Sequence, residues 1–418
     1  MEDITTSRRS PFGANPTVGE AGQATQQRIL AAANDAFGTN GYARTSVEAI
    51  TDLAGCSRPT FYQYFAGKED LHRRLAARFG AELFEVLDHL GPITPDRPGR
   101  DEIVSWLTGL SAVHARYRAV ADNFAAAVRT DDQMVTGSTA LSAAYRSRLC
   151  EVIVDPPTDP VTLEVQAVAI NSVAYGASFY RSRVGSVSQQ RTTDALADLI
   201  HRSIFGTIDG VNVAQSRRGI VRRAPASPGS ASPDEEGRQP RGVATRTRLL
   251  DAAAAAFGTL GYDGVRVDDI AVEAGVSHGT FYRYYADKDA AFSEHVVAAT
   301  DDIVALLGSW PLDAGAEAQW AKEYFDLFAR HGGIIACLPE ARAAGVDAAT
   351  RARLEVSRAL RIGLDTRAFG DTDADIVSCF ALLESFPASA FRGLGVSVDD
   401  AIDATALILR RGVFGESH

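Results

Sequence analysis

The side chains best placed to do chemistry in this chain sit in two short segments of one design. Ser57 to Phe65 reads SRPTFYQYF, and Ser277 to Tyr285 reads SHGTFYRYY. Each opens on a serine suited to cap a helix, because its hydroxyl accepts a bond from an orphan backbone N–H. Phe61 with Phe65, and Phe281 with Tyr285, stand four apart and face a core. That spacing turns Arg58, Pro59, Tyr62, Gln63 and Tyr64 outward in the first segment, and His278, Gly279, Tyr282, Arg283 and Tyr284 in the second. A short helix after a glycine turn, bearing exposed aromatics and hydrogen-bonding side chains, is the second helix of a helix-turn-helix that enters a DNA major groove.

Such helices need a frame, and the flanking sequence supplies it twice. Residues 25 to 71 and 245 to 291 align without a gap at an offset of 220, with 22 of 47 pairs identical, so the chain is a tandem duplication. Ile29, Ala33 and Phe37 fall at i, i+4 and i+8, as do Leu249, Ala253 and Phe257, which marks one apolar helix face. Gly41 and Gly261 end that helix, since glycine accepts a positive φ. A second amphipathic stretch turns Val47, Ile50 and Ala54 inward in copy one, and Val267, Ile270 and Ala274 in copy two. Gly55 and Gly275 make the next turn.

Both copies resemble the N-terminal DNA-binding domain of TetR-type transcriptional regulators. The family pattern runs from a glycine turn into Thr, Phe or Leu, Tyr, any residue, Tyr or His, and Phe, with a lysine beyond. Here it reads Thr60, Phe61, Tyr62, Tyr64, Phe65 and Lys68, then Thr280, Phe281, Tyr282, Tyr284, Tyr285 and Lys288. The match is detailed over about 50 residues per copy and looser beyond. It implies an all-α fold of two tandem units, each a three-helix head followed by a helical bundle for ligand binding and dimerisation. It also implies roles. The hydroxyls of Tyr62, Tyr64, Tyr282 and Tyr284 suit phosphate oxygens, and Lys68 and Lys288 open a helix whose dipole favours a phosphate. Arg58, Gln63 and Arg283 suit base edges, because Arg matches guanine and Gln matches adenine. His278 is assigned to a base or the backbone, while Pro59 and Gly279 let the helix start approach the bases. Thr45, with Ser46, can cap the second helix and touch phosphate; copy two has Val265 and Arg266 there, so Arg266 becomes the substitute grip.

Composition agrees with a duplicated regulator. With 418 residues, 46% of them hydrophobic, the chain is long enough for two to four domains with real cores. No apolar run approaches the ~20 residues of a membrane span and no signal sequence opens the chain, so no membrane partner and a cytoplasmic location are expected. Cys56, Cys150, Cys337 and Cys379 are isolated, which points to reduced thiols. Cys56 lies in the helix-turn-helix turn, where a redox switch is conceivable, but Val276 fills the same place in copy two. The eight histidines are scattered, and no nucleophile elbow or phosphate-loop lysine occurs, so no enzyme activity, metal or cofactor is expected. The net charge of −11 argues against a polyanion, yet phosphate binding depends on local charge. Residues 25 to 75 carry six basic side chains against five acidic ones, which predicts modest nonspecific affinity. Arg8 and Arg9, and Arg217, Arg218, Arg222 and Arg223, read equally as arms along DNA or as solvated linker.

The domain plan is an arm over 1–24, heads over 25–71 and 243–291, helical regulatory regions over 72–212 and 292–418, and a linker over 213–242. The linker holds four prolines, four glycines and no aromatic. Its coil span of roughly 30 Å, or about 100 Å stretched, lets the halves fold side by side. In the regulatory regions Trp106, Leu110, His114, Tyr117 and Phe124 share one helical face, and Trp320, Tyr324 and Phe328 another; they are candidates for a ligand pocket or for plain core. By resemblance, residues 162–183 and 193–208, then 373–392 and 398–414, are the helices that pair across a dimer. Ala177, Ser178 and Arg181 correspond to Ala388, Ser389 and Arg392, and Phe205-Gly206 to Phe414-Gly415, so the duplication covers a whole regulator. The expected function is a ligand-responsive, sequence-specific transcriptional repressor bound to a double-stranded DNA operator and a small-molecule effector. One chain forms a pseudo-dimer; a homodimer with four heads is the other assembly. Because the reading helices differ at Arg58/His278, Pro59/Gly279 and Gln63/Arg283, unequal half-sites are expected. The alternative is a sensing or protein-interaction module with one or both heads inactive on DNA, favoured if Tyr62, Tyr64 and Lys68 are buried.

Overall fold

A computed structural model describes residues 19–42, 44–121, 132–181, 187–208, 210–211, 241–309, 315–365, 372–391 and 396–414. Phe124, Arg392, Gly415, the basic pairs at 8–9, 217–218 and 222–223, and the linker up to 240 lie outside these residues. The described structure is helical throughout, apart from a single bridge between Ile93 and Ile153.

The chain forms two compact units that do not divide at the linker. One gathers Met1–His89 with Gly109–Leu141, the other Leu90–Thr108 with Ser142–His418. The first holds α1 (Glu20–Asn40), α2 (Val47–Ala54), α3 (Arg58–Tyr64), α4 (Lys68–Asp88) and the end of α5 (Arg97–Arg116). Ile29, Ala33, Phe37, Ile50, Phe61, Phe65 and Leu75 form its core. Helix α1 begins five residues ahead of the expected head. The far end of α4 is tied to α5 by the Tyr117 hydroxyl, which donates to Glu82 at 2.6 Å, and by His114 set edge-on against Phe79.

From the first half, the second unit contains α6 (Asp132–Val152) from Ser142 on, α7 (Pro160–Arg181) and α8 (Gln189–Phe205). From the second half it holds α9 (Arg241–Gly264), α10 (Val267–Glu273), α11 (His278–Tyr284), α12 (Lys288–Gly308), α13 (Glu317–Ala343) and α14 (Asp347–Asp365). Helix α15 (Thr372–Phe380) runs through a π-helical turn (Ala381–Ser385) into α16 (Phe386–Phe391), and α17 (Val398–Leu407) runs into a second π turn (Ile408–Val413). Helix α9 starts two residues inside the expected linker. The stretch Asp373–Phe391 is long and apolar enough to cross a membrane, but 72% of it is buried inside the protein, which marks it as a core helix.

Within this unit, α7 packs on the first π turn and α8 on the second. Gly176 permits the approach of α7: a Cβ there would lie 2.3 Å from Ser385 Oγ and 3.1 Å from the Ala381 backbone. The hydroxyls of Ser172 and Ser389 meet at 3.1 Å. The guanidinium of Arg353 pairs with Glu384 at 3.0 and 3.2 Å and lies over the rings of Phe380 and Tyr180. Burial pushes the Tyr180 phenol well above its ordinary range, so it stays neutral. Arg202 and Arg411, each three residues before a Phe-Gly pair, cross reciprocally. Arg202 Nε donates to Gly412 O at 3.0 Å, and Arg411 Nη1 to Ile204 O at 3.4 Å. Both bonds run between the closing helix of the first half and that of the second.

Candidate nucleic-acid interface

The first head sets its third helix with short local bonds. Ser46 Oγ accepts the Ala49 N–H and so caps α2. Gly55 takes the left-handed conformation (φ 60°, ψ 42°), which lets Cys56 N–H bond back to Thr51 O at 3.0 Å. Ser57 then caps α3, accepting from Thr60 N–H at 3.2 Å, with the two hydroxyls 2.9 Å apart. Pro59 fits because the first helical turn has no partner for its missing N–H. The second head repeats this: Gly275 has φ 63°, and Ser277 meets Thr280 at the same 3.2 and 2.9 Å.

The reading faces are open. Arg58, Pro59 and Gln63 are exposed, as are His278, Gly279 and Arg283. Tyr62 is 46% exposed and Tyr282 50%, while Tyr64 and Tyr284 are half-buried. Each exposed tyrosine is propped edge-on by the preceding phenylalanine, with ring centroids 5.3 and 5.7 Å apart. The burial that would favour inactive heads is therefore absent at Tyr62 and only partial at Tyr64 and Lys68.

Two expectations change. Thr45 is 2% exposed and donates its hydroxyl to Gly41 O and Ala36 O, so it locks the α1–α2 turn and offers nothing to a phosphate. Buried Val265 fills the same spot in the second head, so the threonine's place is an interior one. Lys68 and Lys288 turn inward as well. Lys68 Nζ donates to Tyr42 O at 3.0 Å and Thr45 O at 3.2 Å, over the Tyr42 ring; Lys288 does the same with Tyr262 O, Val265 O and the Tyr262 ring. Each lysine pins the start of the fourth helix to the turn that sets the second.

The heads then diverge. Helix α4 has Gly67 at its N-cap and no side-chain cap, whereas Asp287 caps α12 through Ala290 N–H at 2.8 Å. A carboxylate thus occupies the positive helix end that a phosphate needs. His278 Nε2 lies 3.2 Å from the Asp268 carboxylate, and its ring sits edge-on to Tyr282. Asp269 accepts the Arg266 backbone N–H, leaving the Arg266 side chain exposed. Over residues 245 to 295 the second head has five Lys and Arg against eight Asp and Glu, where the matching range of the first has six against five. In the first turn, burial pushes the Cys56 thiol above its ordinary value, with Arg28 pulling the other way, which disfavours a reactive thiolate.

The aromatic stripes of the regulatory regions are packed. Trp106, His114, Tyr117, Trp320, Tyr324 and Phe328 are all buried. Trp320 Nε1 donates to Leu306 O, the Tyr324 hydroxyl donates to Leu383 O, and Phe328 stacks on Phe391. None of them lines the cavity of about 330 Å³ in the second unit.

Known proteins match at the heads. The family described as bacterial regulatory proteins, tetR family, matches residues 29–75 and again 249–294. The chain is 33% identical over 79 residues to the uncharacterized HTH-type transcriptional regulator YdgC of Bacillus subtilis, covering 19% of this chain and 40% of that protein. It is 30% identical over 95 residues to the HTH-type transcriptional repressor SCO4008 of Streptomyces coelicolor, covering 23% of this chain and 48% of that one. The chain thus spans less than half the length of these relatives. With the signature present at both heads, on matching cap geometry, the chain carries twice a head that matches the tetR family of bacterial regulatory proteins.

Proposed function

We propose that the protein is a ligand-responsive transcriptional repressor that works where the DNA is, in the cytoplasm, with one chain supplying both heads of a pseudo-dimer. The observation that carries this is the pair of reading helices: nearly identical in capping and turn geometry, open on their outer faces, and different in the side chains they present. Arg58, Pro59 and Gln63 on one helix, and His278, Gly279 and Arg283 on the other, ask for unequal half-sites. The reciprocal Arg202 and Arg411 bonds support a pseudo-two-fold pairing of the helices that join symmetric dimers elsewhere. Half-sites would lie about one helical turn apart, roughly 34–36 Å. The name of the Streptomyces relative supports repression. An effector releases DNA only by as much as its affinity differs between the bound and released states. No role in catalysis is proposed.

A second reading has specific support. Asp287 at the α12 N-terminus, Asp268 beside His278, and the acidic excess of the second head all weaken its hold on phosphate. In that reading the first head alone grips DNA.

Quantitative footprinting on the DNA flanking the gene, with Tyr62→Ala and Tyr282→Ala variants, tests both. An asymmetric footprint that each variant erodes on its own half is expected of two working heads. Indifference to Tyr282→Ala selects the second reading, and no protection at low salt removes both.

A further inference from the structure

We infer that a cleft between α7, the start of α13 and α17 binds a small organic cation, an amine or a guanidine, with Glu317 as its anchor. The cavity of about 330 Å³ falls at the lower end of the ~300–1,000 Å³ range of small-molecule sites. Its apolar wall includes Val161 and Leu407, and its charged groups are Glu317, Asp400, Asp403 and Arg410, so three acids face one base. Glu317 is 2% exposed. One of its carboxyl oxygens accepts the Gly315 N–H at 2.9 Å; the other, Oε1, is buried and has no hydrogen-bond partner among the described residues. Buried acceptors in folded proteins are nearly always satisfied, and Glu317 lines the cavity, from which a donor can reach toward its orphan oxygen. Among the described residues no three His, Cys, Asp or Glu side chains are placed to hold a metal ion, and with three acids facing one base the donor that fits best is an organic cation carrying N–H bonds.

The duplicate half shows what fits. Ser188 and Ser397 cap α8 and α17 and set them in register at an offset of 209, which makes Asp194 the counterpart of Asp403. At Asp194 the chain supplies its own guanidinium. Arg100, in the first turn of α5, is buried, donates from Nε to Asp198 Oδ1 at 2.6 Å and lies 3.6 Å from Asp194. Trp106 and Trp320 set α5 and α13 in register, and from Pro311 to Trp320 there is no Lys or Arg to play that part. The first half fills its acidic corner with an arginine. The second keeps the acid, adds a buried carboxyl, lacks the arginine and leaves a cavity.

The occupant would touch α7 of one half and α13 and α17 of the other. Its effect on DNA rests on the ligand-responsive reading above; its binding does not. Calorimetric titration of the full chain, without DNA, with n-butylguanidinium and with its neutral counterpart n-butylurea tests the site. Saturable binding of the guanidinium but not the urea is expected, weakened about tenfold or more by Glu317→Gln. Asp403→Asn, at an exposed position that leaves the fold intact, should weaken it about two- to fivefold, and Asp194→Asn should leave it unchanged. Absence of guanidinium binding, equal binding of the urea, or full binding by a folded Glu317→Gln chain overturns the site. Should Glu317→Gln fail to fold, undiminished binding in both Asp403→Asn and Asp400→Asn overturns it. Footprints repeated with saturating guanidinium separate the two claims: binding with an unchanged footprint leaves the site standing and removes the ligand-responsive reading.

Discussion

Lys68 serves the head through the protein. Its ammonium joins two carbonyls and one ring of the α1–α2 turn, so the charge that looks destined for phosphate holds the frame on which α3 is aimed. Lys68→Met should therefore cost about 1–3 kcal/mol in urea denaturation, because two turn carbonyls lose a charged donor. The slope of log affinity against log salt should stay unchanged, whereas loss of a phosphate contact lowers it by about 1. Tyr62 is the opposite case, open to solvent and braced by Phe61. Tyr62→Phe should leave the melting temperature unchanged and weaken binding about five- to tenfold on the first half-site, as loss of one phosphate hydrogen bond predicts.

At the scale of elements, the two heads differ most at the start of their fourth helices. Gly67 leaves the N-terminus of α4 without a side-chain cap, while Asp287 closes that of α12. Asp287→Gly should raise the affinity of the second half-site severalfold at low salt, by removing a like charge from a phosphate position. The stability cost should be only a few tenths of a kcal/mol, since glycine is itself a tolerated N-cap. Footprint titration and thermal melting read the two effects separately. The approach of α7 to the first π turn depends on an absent side chain. Gly176→Val would drive atoms into Ser385 and Ala381, and should cost about 1–3 kcal/mol by denaturant titration.

Over the whole molecule, the second unit takes α7 and α8 from the first half and packs them against the last helices of the second. The Arg353–Glu384 pair lies buried at that junction, with Tyr180 of the first half against the guanidinium. Glu384→Gln should destabilise this unit by about 3–5 kcal/mol in calorimetry, because it strands a buried cation. Arg353→Met combined with Glu384→Leu should recover most of that loss, as an apolar pair carries no desolvation penalty. Such recovery would mark the pair as a registry device between halves more than as a source of stability.

The sequence by itself determined the duplication, the helices of both heads and the outward face of each reading helix. Those follow from local rules: 3.6-residue periodicity, serine caps, and glycines at positive φ, all readable within a dozen residues of Ser57 or Ser277. Tertiary structure decided the fates of Thr45 and Lys68, since whether a hydroxyl or ammonium meets solvent or a carbonyl depends on a turn folded back from 4 to 26 residues away. It also decided that Trp106, Trp320 and Tyr324 are core, because a helical stripe has the same spacing whether it faces a neighbour helix or a pocket. The reciprocal arginines, the π turns and the Glu317 cleft arise only where segments about 90 to more than 200 residues apart meet. Local patterns carry no record of those meetings, so burial, orphaned acceptors and empty space entered with the packing.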